Sequence, residues 1–306
     1  MRDGSRQSPD KSVSYIGIAI LYNARSEFLR SSQMTDKYAV IGNPIAHSKS
    51  PQIHKMFRDQ TGEDISYEAI LAPPSADGFT AKIEQLRNEG YKGCNVTVPF
   101  KQHAFNLGII GITKSLSNEV THAMAANTLK FLNGGIQLEN TDGTGLVRDL
   151  TENLGVDLKD KRLLLVGAGG AARGVILPLR RAGTNITITN RTADKALALA
   201  NRFVVSGCSY EELAGKNFDI VINATSSGLS DEMPDIPDTV FAPRSLAYEM
   251  MYGRETLFMK FARKHGAAIV TDGLGMLVEQ AAESFFIWRG VRPETAPVIA
   301  ALRAQQ

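Results

Sequence analysis

The sequence predicts a two-domain α/β protein, in which an N-terminal unit with a mostly parallel sheet is followed by a second, more regular parallel unit. Three observations carry this. The chain has 306 residues, and at roughly 150 residues per domain that length suggests two domains. Hydrophobic residues make up 43%, enough to bury a core in each. From Lys37 onward, short β-rich runs alternate with amphipathic helical stretches, which is the pattern of α/β units.

Composition removes several classes. Lys plus Arg total 34 against 32 Asp plus Glu, a net charge of +2, so no large basic surface is available for phosphate neutralisation and a nucleic-acid partner is not expected. No apolar run approaches the ~20 residues that span a bilayer. Cys94 and Cys208 are the two cysteines, too few for a disulfide framework, which fits a reducing, cytoplasmic setting. Val13 to Tyr22 follows Arg2, Arg6 and Lys11 and faintly imitates a secretory leader without a small-residue cleavage site. Met34 stands just before the first convincing strand, so residues 1–33 are expected to be a poorly ordered upstream extension or a misassigned start.

In the first unit, Lys37 to Asn43 reads as a strand. Ser50 to Thr61 reads as a helix with Ser50 as N-cap and Pro51 at its first position. Ile65 to Leu71 is a strand, Ala76 to Asn88 a helix stopped by Gly90, and Cys94 to Val98 a strand stopped by Pro99. Lys101 to Leu107 and Thr113 to Met124 read as helices. Asn127 to Leu132 and Ile136 to Glu139 flank Asn133, Gly134 and Gly135, a hairpin turn that breaks the alternation. Thr141 to Asn153 reads as a connecting helix. The second series has strands at Arg162 to Val166, Asn185 to Thr189, Phe218 to Ala224, Ser245 to Met251 and Ala267 to Thr271. Ser227 to Pro243 reads as a long loop at the mouth of a site, and Leu274 to Arg289 and Pro297 to Ala304 as closing helices.

Gly167, Ala168, Gly169, Gly170, Ala171 and Ala172 follow the apolar strand Arg162 to Val166 directly and open the helix to Arg181. Strand, glycine turn and helix together form a dinucleotide-binding pattern with Ala in its third small position, so the second unit is Rossmann-type. Pro178 inside that helix is a blemish. The next strand ends at Asn190, Arg191 and Thr192 with no carboxylate for a ribose 2′-hydroxyl. Arg191 and Lys195 are spaced i, i+4 at the start of a helix that Thr192 can cap, and both suit a 2′-phosphate, which selects NADP.

In the first unit polar residues gather in loops at strand ends: His47, Ser48 and Ser50, then Asn95, Thr97 and Lys101, then Asn127, then Asn140, Thr141 and Asp142. Ser48 and Ser50 at a helix N-terminus suit a carboxylate. Lys101 at another helix start, where the dipole disfavours its charge, suits proton transfer with Asp142 as partner. His47, His54, His103, His122 and His265 form no ligand pair with a nearby carboxylate or thiolate, so no metal is expected.

These residues carry a specific resemblance. Val40 to Pro51, Asn95 to Lys101, Asn140 to Gly143, Asn190 to Thr192, Asn223 to Gly228 and Asp272 to Leu277 resemble, in order, the motifs of the shikimate dehydrogenase family, over nearly everything after Met34. The resemblance implies reversible reduction of 3-dehydroshikimate to shikimate by NADPH, a step of aromatic amino acid and chorismate biosynthesis. It implies Lys101 and Asp142 as the catalytic pair, and Ser48, Ser50, Asn95, Thr97, Asn127, Tyr252 and Gln280 around the substrate. It places Gly167 to Ala171, Asn190 to Thr192, Lys195, Asn223, Ala224, Thr225, Gly273 and Met276 around NADP. It also implies a discontinuous substrate domain, 34–141 plus 273–306, around a cofactor domain, 142–272, in a monomer or homodimer. Lys195 stands where the family usually has Arg, Glu249 where Asp is common, Ala123 to Ala126 differs before Asn127, and Gly253 to Leu257 lacks the usual prolines. These departures keep open a related enzyme acting on quinate or another cyclic hydroxy acid with NAD(P). A methylenetetrahydrofolate-dehydrogenase-like enzyme leaves Ser48 and Ser50 without a role, and a non-catalytic NADP-binding regulator has no need of the Lys101 and Asp142 pair.

Overall fold

The computed structural model describes Met1 and residues 35–109, 113–225 and 232–306. The extension expected over residues 1–33 lies, but for Met1, outside them. Lys37–Gln306 forms one compact unit, built on two six-stranded sheets.

The first sheet takes β1 (Asp36–Gly42), β2 (Ile65–Leu71), β3 (Gly93–Val96), β4 (Thr113–Leu116), β5 (Thr128–Leu132) and β6 (Gly135–Glu139) in the order β2-β1-β3-β5-β6-β4. β1 and β3 run parallel, whereas the β5–β6 hairpin pairs antiparallel to β3 and within itself. Because side chains alternate along a strand, β1 sends Ala39 and Ile41 to one face and Tyr38 to the other. The first face packs on α2 (Ala76–Asn88) and α3 (Lys101–Ile109) through Phe79, Ile83, Leu86, Phe100 and Leu107. The second packs on α1 (Ser50–Thr61) and on two helices from the far end of the chain, α9 (Leu274–Arg289) and α10 (Ala296–Arg303).

The second sheet is wholly parallel, β12-β11-β10-β7-β8-β9, from β7 (Arg162–Val166), β8 (Asn185–Thr189), β9 (Ser206–Cys208), β10 (Phe218–Asn223), β11 (Phe241–Glu249) and β12 (Ile269–Asp272). Its direction of winding reverses between β7 and β10, and a crevice opens there beyond the strand ends. One face is covered by α5 (Asp142–Arg148), α6 (Gly170–Arg181) and α7 (Ala193–Phe203), the other by α8 (Leu257–Lys264).

Several expectations need correction. Thr113 to Met124 is not one helix: Thr113–Leu116 pairs in parallel with β6, and only Asn118–Ala123 (α4) is helical. A sheet edge outweighed local propensity there. Ser50 is not the cap of α1; Lys49 holds that position without a side-chain bond, and the Ser50 hydroxyl bonds Tyr67 instead. Thr192 does occupy the cap position of α7, but its hydroxyl makes no capping bond. The connecting helix ends as a π-turn over Asp149–Asn153. Strand β9 was not anticipated, and β11 starts at Phe241, inside the expected 227–243 loop, of which 226–231 lie outside the described residues.

At Pro178, inside α6, α5 lies almost against the helix. A Cβ on Gly143 would come within 2.5 Å of the Gly174 carbonyl oxygen and of Pro178 Cγ. Neither a backbone oxygen nor a proline ring can swing away. Gly143→Ala is therefore expected to destabilise the fold by about 1–3 kcal/mol through overpacking, read as a lowered urea midpoint with unchanged m-value. An unchanged midpoint would mean that the two helices separate freely.

Candidate active site

The loops at the C-terminal ends of β1, β3, β11 and β12 and the N-terminal turns of α1, α3, α5 and α9 enclose a cleft of about 350 Å³. Every residue expected around the substrate lines it: Ser48, Ser50, Asn95, Thr97, Asn127, Tyr252 and Gln280, together with Lys101 and Asp142. Gly273 and Met276 line the same cleft.

Lys101 begins α3 and Asp142 begins α5, so the two approach from different helices. Lys101 Nζ donates to Asp142 Oδ2 at 2.6 Å, with the lysine side chain 32% exposed and the aspartate 10%. Asp142 is the sole partner of the ammonium among the described residues, which leaves two of its three donors for a ligand. The carboxylate's other oxygen accepts from Asn127 Nδ2 at 2.8 Å, and the N-terminus of α5 favours its charge. Asn140 Oδ1 accepts the Asp142 backbone N–H at 3.2 Å, and Asn140 Nδ2 donates to the Ala125 carbonyl at 3.0 Å.

Beneath this pair is a polar layer of little solvent access. Asn127 Oδ1 accepts from the Thr141 N–H at 2.8 Å and from Thr128 Oγ1 at 3.0 Å, and Asn127 Nδ2 also reaches Gln280 Oε1 at 3.2 Å. Asn95 Nδ2 donates to Ser284 Oγ at 2.9 Å, and Asn95 Oδ1 accepts from the Tyr67 hydroxyl at 2.7 Å. The Ser48 hydroxyl accepts the Ser50 N–H at 3.3 Å. Satisfied buried amides of this kind hold one geometry, because any rotation would leave a donor unpaired.

Sequence reasoning overlooked Tyr67 and Ser284, and considered His54 only as a metal ligand. The His54 ring stacks on Tyr67 with centroids 3.8 Å apart. Its Nδ1 lies 3.0 Å from the Ser50 carbonyl, which can only accept, so the ring hydrogen sits on Nδ1. Nε2 has no partner among the described residues. No signal in the sequence separates such a histidine from an ordinary helix residue; only its position i+4 to Ser50 hints at the contact.

On the second sheet, Gly167 closes β7 with φ +118°, and a Cβ there would press to 3.0 Å on the Ala224 carbonyl. This brings the glycine turn and the Asn223–Thr225 segment together at the sheet's crevice. Gly169 caps α6 in extended backbone with no side-chain capping bond, and a Cβ on it would meet nothing within 4 Å. The first-turn N–H groups thus face open space, and the Arg173 Nε nearby is buried without a partner among the described residues. Uncapped donors and a cation suit a dinucleotide's diphosphate. Asn190 Nδ2 donates to the Thr192 carbonyl at 3.1 Å and shapes the turn after β8. Arg191 and Lys195 are exposed and form no ion pair among the described residues. No three His, Cys, Asp or Glu side chains converge as a metal site among the described residues.

A lysine–aspartate pair in a cleft beside a helix-mounted glycine turn is the layout of a pyridine-nucleotide oxidoreductase. The models that match the sequence are those of the shikimate dehydrogenase substrate-binding domain over residues 40–129, of shikimate/quinate 5-dehydrogenase over 149–230 and of the shikimate 5'-dehydrogenase C-terminal domain over 273–303. The NADP(+) shikimate dehydrogenase of Methylobacillus flagellatus is 53% identical over 275 residues, which covers 88% of this chain and 99% of that protein. That of Nitrosospira multiformis is 54% identical over 277 residues, covering 89% and 98%. Among solved structures, an Ael1 enzyme from Pseudomonas putida superposes with a TM-score of 0.81 at 48% identity, covering 87% of this chain and 98% of that one. The shikimate 5-dehydrogenase of Thermus thermophilus, in complex with NADP(H) and shikimate, gives 0.77 at 30% identity, covering 89% and 100%. The chain belongs to the shikimate dehydrogenase family.

Burial pushes the His54 pKa down to about 3 from an ordinary 6.5, against a raising contribution from the Ser50 carbonyl. Between those values the unfolded chain binds a proton that the folded chain refuses, so stability falls as pH drops from 6.5 toward 3, with a slope of up to about 1.4 kcal/mol per pH unit. His54→Phe is expected to flatten that slope in urea midpoints measured from pH 7 to pH 4.5. An unaltered slope would show that another group governs acid sensitivity.

Proposed function

We propose that this protein reversibly reduces 3-dehydroshikimate to shikimate with NADPH, a step of aromatic amino acid and chorismate biosynthesis. The observation that carries the reading is the 2.6 Å contact of Lys101 Nζ with Asp142 Oδ2 on the wall of a cleft that Gly273 and Met276 also line.

In this reading NADPH supplies the hydride, and the protein supplies position and charge. Ser48, Ser50 and Thr97 hold the ring carboxylate with the Tyr252 phenol nearby, while Asn95, Asn127 and Gln280 take the ring hydroxyls. Lys101 donates an Nζ proton to the substrate carbonyl oxygen as it becomes an alkoxide, and recovers one from solvent at its exposed side. Asp142 keeps the ammonium aimed. Gly167 to Ala171 and Asn223 to Thr225 border the dinucleotide, with Asn190, Arg191, Thr192 and Lys195 at its adenosine end. Arg191, where a carboxylate would stand at the β8 tip in an NAD site, supports NADP over NAD.

We divide the chain into a substrate domain, 34–141 plus 273–306, and a cofactor domain, 142–272; the packing of α9 and α10 on the first sheet and of β7–β12 in the second supports this division. The cleft is built by one chain, which accommodates a monomer or a homodimer alike. No described helix is long and apolar enough to cross a membrane, and both cysteines are free and buried; we place the enzyme in the cytoplasm.

The direct test follows NADP+ reduction with shikimate and quinate side by side, each with NAD+ as control. Shikimate with NADP+ is expected to be the fastest pair, and Lys101→Ala is expected to lower its kcat by about 10²- to 10⁴-fold with little change in KM. Faster turnover of quinate, or an unaffected Lys101→Ala, would overturn the assignment. Arg191→Ala is expected to raise KM for NADPH far more than for NADH. Equal rises would remove Arg191 from the 2′-phosphate.

A further inference from the structure

Glu249 ends β11 and is fully buried. Its Oε2 accepts from Asn223 Nδ2 at 2.8 Å and from Thr256 Oγ1 at 2.9 Å, and its Oε1 accepts the Met251 N–H at 3.1 Å. All three partners are donors. An amide nitrogen and a backbone N–H have no other role, and these two bond different oxygens of the carboxylate, while the Thr256 hydroxyl also receives the Met259 N–H as the cap of α8. Only an acceptor with two oxygens satisfies this surrounding set.

The three donors belong to segments that serve different ligands. Asn223 leads into the segment over the glycine turn, and its Oδ1 accepts the Thr225 N–H at 3.2 Å and the Thr225 hydroxyl at 2.7 Å. Met251 lies between Met250 and Tyr252, which line the substrate cleft. The same stretch is held on its other side, where Met250 N–H donates to the Asn223 carbonyl at 3.0 Å and Gly273 N–H donates to the Met251 carbonyl at 2.9 Å. Glu249 is thus the side chain that joins the ends of β10 and β11 at the point where the dinucleotide crevice meets the cleft.

We propose that Glu249 is a positioning residue that sets the cofactor-side Asn223–Thr225 segment and the substrate-side Met250–Tyr252 segment in register with each other. This rests on the function proposed above. Burial holds the carboxyl's pKa above its ordinary value, against the three donors, which lower it. In Glu249→Gln one acceptor oxygen becomes an NH2 that must face Asn223 Nδ2 or the Met251 N–H, setting donor against donor. Glu249→Asp keeps both oxygens but draws them back by one methylene.

The test is calorimetric binding of NADPH, and of shikimate with NADPH saturating, a pairing that cannot turn over. Glu249→Gln is expected to weaken both ligands together, each by about tenfold, and Glu249→Asp to weaken both by about threefold. Phe258→Leu, a cavity in the apolar cluster under α8, is the stability control; it is expected to lower Tm and leave both Kd values within twofold. Weakening of one ligand alone, or equal weakening in Phe258→Leu, would overturn the positioning role. Should Glu249→Gln fail to fold, Glu249→Asp carries the same two criteria. A parent protein that binds neither ligand would instead overturn the function on which the inference rests, whereas a parent that binds both while Glu249→Gln binds them equally well would overturn the inference alone.

Discussion

An ammonium and a carboxylate withdrawn from bulk water must be paired, and each must be held by something other than its partner. Lys101 and Asp142 meet that constraint from two helix starts, and the surrounding polar layer follows from it. Asp142 Oδ1 would lack a donor without Asn127. Asn127 would be free to rotate without Thr141 and Thr128. Each added member exists to satisfy the one before it, until the chain of contacts closes on Ser284 of α9. The cleft wall is in effect a hydrogen-bonded solid, with an ammonium presented at its edge.

That arrangement explains why α9 comes from so late in the sequence. The helix supplies Gln280 and Ser284 to the polar layer and, through Leu274, Val278, Ala281 and Phe285, an apolar face to the first sheet. Its preceding residues are tied to the second sheet by β12. One helix therefore carries the geometry of the second sheet into the first. On the other flank α5 and α6 touch through Gly143, Gly174 and Pro178. A Cβ on Gly174 would lie 3.7 Å from Asp142 Oδ2, so the helix that opens with the uncapped glycine turn also backs the carboxylate.

Much of this was legible in the residues themselves, for definite reasons. The Gly167 turn follows an apolar strand without a gap, and α1, α2 and α9 are bounded by Pro51, Gly90 and Gly290, whose backbone preferences are local. Lys101 and Asp142 could be paired because both stand just past strand ends, where open sheets place their ligands. What stayed hidden depends on contacts far away in sequence. Thr113–Leu116 is a strand because β6 lies beside it. Ser50 fails as a cap because its hydroxyl faces Tyr67 across the fold. His54, Ser284 and Glu249 sit at positions a helix or strand pattern assigns to the core, and their polarity has meaning only beside Tyr67, Asn95 and Asn223.

On the function proposed above, the two ligand sites are built on opposite physical terms. Around the cleft, amides and hydroxyls are buried and mutually satisfied, so recognition there would depend on shape and on a few donors left over. At the proposed adenosine end, Arg191 stands exposed just before the cap of α7 and Lys195 exposed on its first turn, where solvent ions screen charge over about 8–10 Å. A 2′-phosphate bound there gains from proximity to a planar guanidinium and a point charge, without a rigid pocket. Substitutions among the buried amides should therefore disturb fold and chemistry together, whereas α7's cations can be exchanged, as Lys195 itself suggests, with consequences confined to the dinucleotide.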